Sequence, residues 1–253
     1  MTAGRAQPGP ADHEDAARFA EEAGRLLLGI RARIDEGEAA GRIKDEGDLR
    51  SHELLLARLG ESHPDDAVLS EEAADDPARL DAARVWIIDP LDGTREFGEP
   101  PRSDWAVHVA LVIGGEPVAG AVALPARGLV LSTAAPPTLA PAAGGRPRVI
   151  VSRTRPPAEA DRLVAALGAE LVTMGSAGAK AMAIVLGDAD VYPHAGGQYE
   201  WDSAAPVAVA ARAGLHVSRL DGSPLRYNRP DAWLPDLLIC RPELAEPVLA
   251  ALA

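Results

Sequence analysis

Residues 85–94, Val-Trp-Ile-Ile-Asp-Pro-Leu-Asp-Gly-Thr, restrict the possible folds more than any other segment of this 253-residue chain. The apolar run through Val85–Asp89 reads as a strand. Pro90 fixes φ and prevents that strand from continuing regularly. Asp89 and Asp92 can then turn toward one point, with the Leu91 carbonyl offered between them. Gly93 permits close backbone approach, and the N–H groups of Gly93 and Thr94 suit a phosphate where a helix begins.

Around this segment the chain alternates short apolar runs with amphipathic stretches. A first helix pattern starts at Asp12, with Phe19, Ala23, Leu26, Leu27, Ile30 and Ile34 on one face. The stretch from Glu36 to Gly47 is polar and punctuated by glycine. A second helix is predicted from Asp48 to Leu59, stopped by Gly60. Strands are predicted at Ala67–Ser70, Val85–Asp89, Trp105–Ile113, Val118–Leu124 and Leu129–Ser132. Beyond them come strand Val149–Ser152, helix Pro156–Leu167, strand Leu171–Met174, helix Ser176–Leu186 and strand Asp190–Tyr192. Helix Asp202–Ala213, strands Leu215–Arg219 and Leu237–Cys240, and a helix after Pro242 complete the order. A layered α-β-α-β-α sandwich fits this order better than a simple doubly wound sheet. The expected organisation is a disordered tail over 1–11, an N-terminal half over 12–133, a Pro/Ala/Gly-rich linker over 134–147 and a C-terminal half over 148–253.

Charge and composition exclude several classes. The net charge of −13 lies wholly in the first half: residues 1–125 hold 26 Asp and Glu against 13 Lys and Arg, and residues 126–253 hold 12 of each. Such a surface does not coat a nucleic-acid polymer, which needs clustered cations. One cysteine, Cys240, rules out a disulfide framework and a thiolate metal cluster. No apolar run approaches a membrane span, and the acidic N-terminus lacks the apolar core of a secretory signal. A cytoplasmic protein without membrane partners is expected.

Three acidic clusters fall where elements end or begin: Ser70-Glu71-Glu72, Asp89 with Asp92, and Trp201-Asp202. Each alone reads blandly, as a solvated charge run, a turn and an N-cap respectively. Together, at element boundaries that line the crevice of α/β folds, they point to a metal site. Hard oxygen ligands from separate segments suit Mg²⁺, and a shared carboxylate can bridge two ions. No Cys or His pair has zinc spacing. At the start of a helix, Asp202 is expected to be kept ionised by the dipole. The Asp-x-x-Asp-Gly-Thr spacing is one residue longer than the Asp-x-Asp-Gly-Thr of haloacid-dehalogenase phosphatases, which excludes that geometry.

The combination of Glu71-Glu72, Trp86-Ile87-Ile88-Asp89-Pro90-Leu91-Asp92-Gly93-Thr94 and Trp201-Asp202-Ser203-Ala204-Ala205 resembles the inositol monophosphatase superfamily. The resemblance covers residues 12–250 and is most like the CysQ-type 3'(2'),5'-bisphosphate nucleotidases. Arg95-Glu96-Phe97 is similar to the basic-Glu-Phe of those nucleotidases, Ser152-Arg153-Thr154-Arg155 to their Ser-Arg-Ser-His, and Gly175–Lys180 with Tyr192-Pro193 to their glycine-rich, lysine-bearing segment. Ala195 stands where inositol phosphatases carry a further carboxylate. The Val-Thr-x-x-Asp segment of the family is reduced to Asp48, and Arg155 replaces a histidine.

This resemblance implies an α-β-α-β-α sandwich of the sugar-phosphatase type and a phosphatase with two or three Mg²⁺ ions, inhibited by Li⁺. It implies that Glu71, Asp89 and the Leu91 carbonyl hold one ion, and that Asp89, Asp92 and Asp202 hold a second. Thr94 and Asp48, with Glu71, would orient the attacking water. Gly93 and Thr94 would bind the phosphoryl group, and Ser152, Arg153, Arg155, Ser176, Gly178 and Lys180 the nucleotide, with His194 and Glu200 near the site. The substrate implied is adenosine 3',5'-bisphosphate or its phosphosulfate, in sulfur assimilation. An inositol-phosphate or fructose-1,6-bisphosphate phosphatase is an alternative; a catalytically weak nucleotide- or metal-binding regulator is another. A homodimer is the candidate assembly.

Overall fold

The computed structural model describes residues 7–142 and 144–253. Two long helices, α1 (Pro10–Asp35) and α2 (Ala40–Ser62), precede five strands: β1 (Ala67–Ser70), β2 (Arg84–Asp92), β3 (Ala106–Ile113), β4 (Glu116–Leu124) and β5 (Leu129–Ser132). A four-residue helix, α3 (Thr94–Phe97), follows β2. The second half comprises β6 (Arg148–Ser152), α4 (Glu159–Leu167), β7 (Glu170–Met174), α5 (Ala177–Val185), β8 (Val191–Tyr199), α6 (Glu200–Arg212), β9 (His216–Ser218), β10 (Trp233–Cys240) and α7 (Ala245–Leu252). One sheet has the order β1-β2-β3-β4-β5 and the other β7-β6-β8-β10-β9.

Three apolar cores glue five layers. Helices α1 and α2 pack on one face of the first sheet, around Phe19, Leu27, Trp86 and Val109. Helices α5 and α6 fill the space between the sheets, around Met182, Ile184, Val207 and Ile239. Helices α4 and α7 cover the outer face of the second sheet with Leu163 and Val248. This is the α-β-α-β-α sandwich expected from the element order. Because α6 of the second half packs on β2, β3 and β4 of the first, the two halves share the central core.

Two local expectations are corrected. The predicted tail of residues 1–11 falls partly outside the described residues, but Pro10 and Ala11 already belong to α1. Proline suits a first helical position, and the Asp12 carboxylate accepts the Gly9 N–H at 2.7 Å. The second helix starts at Ala40, not Asp48, and runs through Gly47 and Gly60 to Ser62. Ile43, Gly47, Ser51, Leu55 and Leu59 form its buried stripe, and this tertiary packing overrides the poor helix propensity of glycine. Residues 134–142 and 144–147 run as irregular chain, anchored to the second half: Ala140 N–H donates to the Val185 carbonyl, and Arg241 donates to the Ala140 carbonyl.

Strand alternation explains where the acidic residues point. On β2, Trp86 and Ile88 face α1 and α2, and Val85 and Ile87 face the middle layer. Period two places Asp89 with Val85 and Ile87. Asp89 pairs with His108 and Asp92 with Ala106, so three steps along β2 match two along β3. The extra residue is a β-bulge at Pro90-Leu91, and it returns Asp92 to the face of Asp89.

The adjacent leucines of α2 provide a stability test. Leu55 is 0% exposed and Leu56 37% exposed. Leu55→Ala is expected to cost about 2–5 kcal/mol in urea unfolding. Leu56→Ala should stay within about 0.5 kcal/mol. Equal costs would contradict the placement of the helix.

Candidate active site

The bulge of β2 and the first turn of α6 bring together Asp89, Asp92 and Asp202, which offer oxygens within 4.8 Å of one another. Asp89 is fully buried; its Oδ1 accepts the Leu91 N–H at 3.1 Å, and its Oδ2 has no hydrogen-bond partner. Asp92 caps the start of α5 across the sheet boundary. It accepts from Ser176 Oγ, from Ala177 N–H at 3.1 Å and from Gly178 N–H at 2.7 Å. Asp202 Oδ2 accepts the Tyr199 N–H at 2.6 Å, which locks the first turn of α6.

These carboxyls differ sharply in acidity. Burial would raise Asp92, but His108, Lys180 and the Ser176 hydroxyl bring it down to about 2. Asp89 is pushed far above the usual carboxylate range by burial and by the charges of Glu71, Asp92 and Asp202. Burial and the Asp92 charge raise Asp202 to about 6. Desolvation and the Asp92 anion thus outweigh the helix dipole in setting its acidity, yet at about 6 Asp202 is still mostly ionised near neutrality. Glu71 lines the same cavity from the turn after β1, outside the tight trio and open to solvent in the cleft. The surrounding protein, with Asp202 and Asp92, lifts it to about 7.

Several anions in one small volume need a cation. The orphaned Asp89 oxygen and an all-oxygen donor set fit a hard divalent ion such as Mg²⁺. Asp48 stands on α2, where burial and Glu72 raise it to about 7. The Thr94 hydroxyl has two acceptors in reach, the Leu91 carbonyl at 3.1 Å and Asp48 Oδ1 at 3.4 Å. Gly93, at φ +86°, sits in the left-handed region; an added Cβ would also lie 3.2 Å from the Asp104 carbonyl and from Ser176.

A cavity of about 980 Å³ is lined by Asp92 and Asp202 of the trio, together with Glu71. Of the expected nucleotide contacts, Ser152, Arg153, Arg155, Ser176 and Lys180 line it. Gly178 does not line it: it packs on His108, whose Nε2 would lie 2.1 Å from an added Cβ. Ser176 and Gly178 thus hold Asp92. Arg153 is engaged by Glu96 at 2.7 Å and Glu99 at 3.2 Å, which ties the two halves together. Ser152 Oγ accepts the Arg155 N–H at 3.3 Å. The Arg155 guanidinium makes no ion pair among the described residues, where Arg148 is bound to Asp190 at the opposite end of β6. Lys180 is buried, its Nζ donating to the Ser176 carbonyl at 2.6 Å. His194 and Ala195 line the cavity; Glu200 instead accepts the backbone N–H groups of Asn228 and Arg229.

Sequence reasoning missed His108. It is fully buried, with Nδ1 3.0 Å from the Trp201 carbonyl and Nε2 3.2 Å from Asp92 Oδ2. A carbonyl only accepts, so Nδ1 carries a proton. Burial disfavours the charged ring, yet Asp92 and the Trp201 carbonyl raise the His108 pKa. Its signal was available: in Trp105–Ile113 it is the single polar residue, on the face shared by Ala106 and Ala110.

With this geometry in view, relatives can be placed. The inositol monophosphatase family model matches residues 13–137 and 146–252. A 3'-phosphoadenosine 5'-phosphate phosphatase of Mycobacterium tuberculosis is 54% identical over 242 residues, 92% of this chain and 90% of the relative. The 3'(2'),5'-bisphosphate nucleotidase CysQ of Escherichia coli is 34% identical over 200 residues, covering 74% of this chain and 80% of the relative. The crystal structure of CysQ from Bacteroides thetaiotaomicron superposes with a TM-score of 0.75 at 28% identity, over 92% of this chain and 97% of that one. The chain belongs to the inositol monophosphatase family.

The raised carboxyls make a pH test possible. Glu71 and Asp48 near 7 and Asp202 near 6 lie above unfolded values of about 4. The metal-free folded state therefore holds extra protons, and that stabilisation is lost as pH rises through this range. The melting temperature of EDTA-treated protein should fall between about pH 5 and pH 8. Added Mg²⁺ should recover most at the upper end. A metal-free melting temperature that rises across the window would contradict these protonation states.

Proposed function

We propose that this chain is a Mg²⁺-dependent phosphatase that removes the 3'-phosphate of adenosine 3',5'-bisphosphate, releasing AMP and phosphate, with the phosphosulfate analogue as a second substrate. The observation that carries this reading is one cavity lined both by Asp92 and Asp202 of the carboxylate trio and by Arg155, whose guanidinium makes no ion pair among the described residues. A substrate with two phosphates uses both, one over the trio and one at the arginine. The names of the relatives at 54% and 34% identity point the same way. Ala195 leaves the cavity without the extra carboxylate expected for inositol phosphates.

Glu71, Asp89 and the Leu91 carbonyl would hold one ion, and Asp89, Asp92 and Asp202 a second. Bound Mg²⁺ supplies acidification of the attacking water and neutralisation of charge on the ester. Thr94 and Asp48 orient that water, and Asp48, raised to about 7, is matched to accepting a proton near neutrality. The Gly93 and Thr94 amides would bind the phosphoryl oxygens. The α5 N-terminus donates to both Asp92 oxygens, and the His108 ring lies 3.2 Å from one of them, so Asp92 stays anionic in place. Hydrolysis is in line, without a covalent intermediate. The same reading carries inhibition by Li⁺, a role in sulfur assimilation and a cytoplasmic location; no helix among the described residues is long and apolar enough to cross a membrane.

Asp89→Asn is expected to lower kcat at least about 100-fold at saturating Mg²⁺, and EDTA should abolish the wild-type rate. Activity that survives either change removes the two-ion assignment. Rates on adenosine 3',5'-bisphosphate, inositol 1-phosphate and fructose 1,6-bisphosphate should rank the nucleotide first.

A further inference from the structure

Arg79 is only 1% exposed, yet it belongs neither to the carboxylate trio nor to the lining of the cavity. It lies in the 3₁₀ turn Pro77–Asp81, at the end of the exposed segment that begins with Glu71. Its Nε and Nη2 donate to the two Asp75 oxygens at 2.6 and 2.8 Å. Its Nη1 donates to Asn228 Oδ1 at 2.7 Å, and Nη2 also reaches the Arg229 carbonyl at 3.0 Å. Asn228 returns the contact, its Nδ2 donating to the Arg79 carbonyl at 3.0 Å. The Asn228 amide thus grips Arg79 by side chain and main chain at once. Its backbone sits at φ +57°, a region that asparagine enters more readily than most residues.

The other side of the same loop holds α6. Glu200, the first residue of that helix, is also 1% exposed. One of its oxygens accepts the Asn228 N–H at 2.6 Å and the other the Arg229 N–H at 3.0 Å. The Glu200 N–H donates to the Ala232 carbonyl at 2.9 Å. Asp202 follows in the same turn of the helix. A continuous run of buried contacts therefore joins the Glu71 segment to Asp202 through Arg79, Asn228 and Glu200. A further ion pair between this loop and the first half, Arg226 with Glu116, is exposed on both partners and contributes little.

The site needs such a link. Glu71, Asp89 and Asp92 come from the first half and Asp202 from the second. As anions they repel, so contacts outside the cluster must hold Asp202 against the others. Burying a guanidinium costs desolvation that full pairing roughly offsets, so such a group contributes direction more than stability.

We propose that Arg79, Asn228 and Glu200 are positioning residues, a buried strut that fixes the first turn of α6 against the Glu71 segment and thereby sets the affinity of the carboxylate cluster for a divalent ion. The proposal rests on the reading of that cluster as a Mg²⁺ site.

Two variants cut the strut gently. Arg79→Met keeps an apolar stem and removes the donors. Asn228→Gly keeps the left-handed backbone and its N–H to Glu200 but removes the amide. In the metal-free full chain, amides of segments 199–205 and 226–232 should exchange with solvent about 10-fold faster in both. Calorimetry should show Mg²⁺ bound about 10-fold more weakly. With adenosine 3',5'-bisphosphate, the Mg²⁺ concentration for half-activation should rise in step, while kcat at saturating Mg²⁺ falls less than about threefold. The double variant should bind Mg²⁺ no worse than the weaker single one, because the two residues act as a unit. Leu55→Ala is the control for stability alone: it should lower the metal-free melting temperature and keep wild-type Mg²⁺ affinity. Mg²⁺ affinity within about twofold of wild type in both strut variants overturns the proposal, as does equal weakening by Leu55→Ala. If wild type takes up no Mg²⁺, the metal reading falls and exchange decides the strut: unchanged exchange overturns it, and faster exchange in both segments keeps it.

Discussion

One extra residue in β2 organises the site. Without the bulge at Pro90-Leu91, period-two alternation would send Asp92 to the α1/α2 face, with Trp86 and Ile88. A carboxylate there would meet an apolar core with no partner. The bulge instead turns Asp92 toward the middle layer, where α5 presents its N-terminal N–H groups and β3 presents His108. Proline is well suited to that position because it has no ladder donor to lose.

Asp92 is consequently a joint as well as a candidate ligand. It links the first sheet to α5 of the second half, close to where Glu96 and Glu99 engage Arg153 and Asp104 accepts the Gly175 N–H. Glycines make the approach possible: a Cβ on Gly175 would fall 2.3 Å from Glu96, and one on Gly178 2.1 Å from His108. The two halves therefore meet through polar contacts at the cleft, and through apolar packing of α6 on the first sheet below it. The acidic character of the first half is compatible with an anionic ester if its central carboxylates hold a cation, as their oxygen cluster would allow.

Much of this was legible in residue order. The strands, their alternation and the carboxylates at element ends follow from apolar periodicity and from proline and glycine punctuation. The start of α2 was not, because helix propensity is a local rule and packing against a distant residue decided the outcome: Phe97 lies against Gly47 on α2. The raised pKa of Asp202 is likewise set through space, by burial and by Asp92 beside it. Gly178, expected at the ligand, packs on His108, far away in sequence.

The sequence by itself determined the order of layers, the family, and the identity of Glu71, Asp89, Asp92 and Asp202 as the acidic constellation, because alternation and punctuation are properties of neighbours along the chain. Only the tertiary structure decided which groups face one another. It separated Arg155 from Arg153 and Arg148, which are consumed in ion pairs. It set His108 behind Asp92, and it placed Tyr199 against Trp233 across two strands paired in register. Pairing, burial and electrostatic coupling are through-space quantities, and residues that share a cavity leave no fixed spacing in the chain.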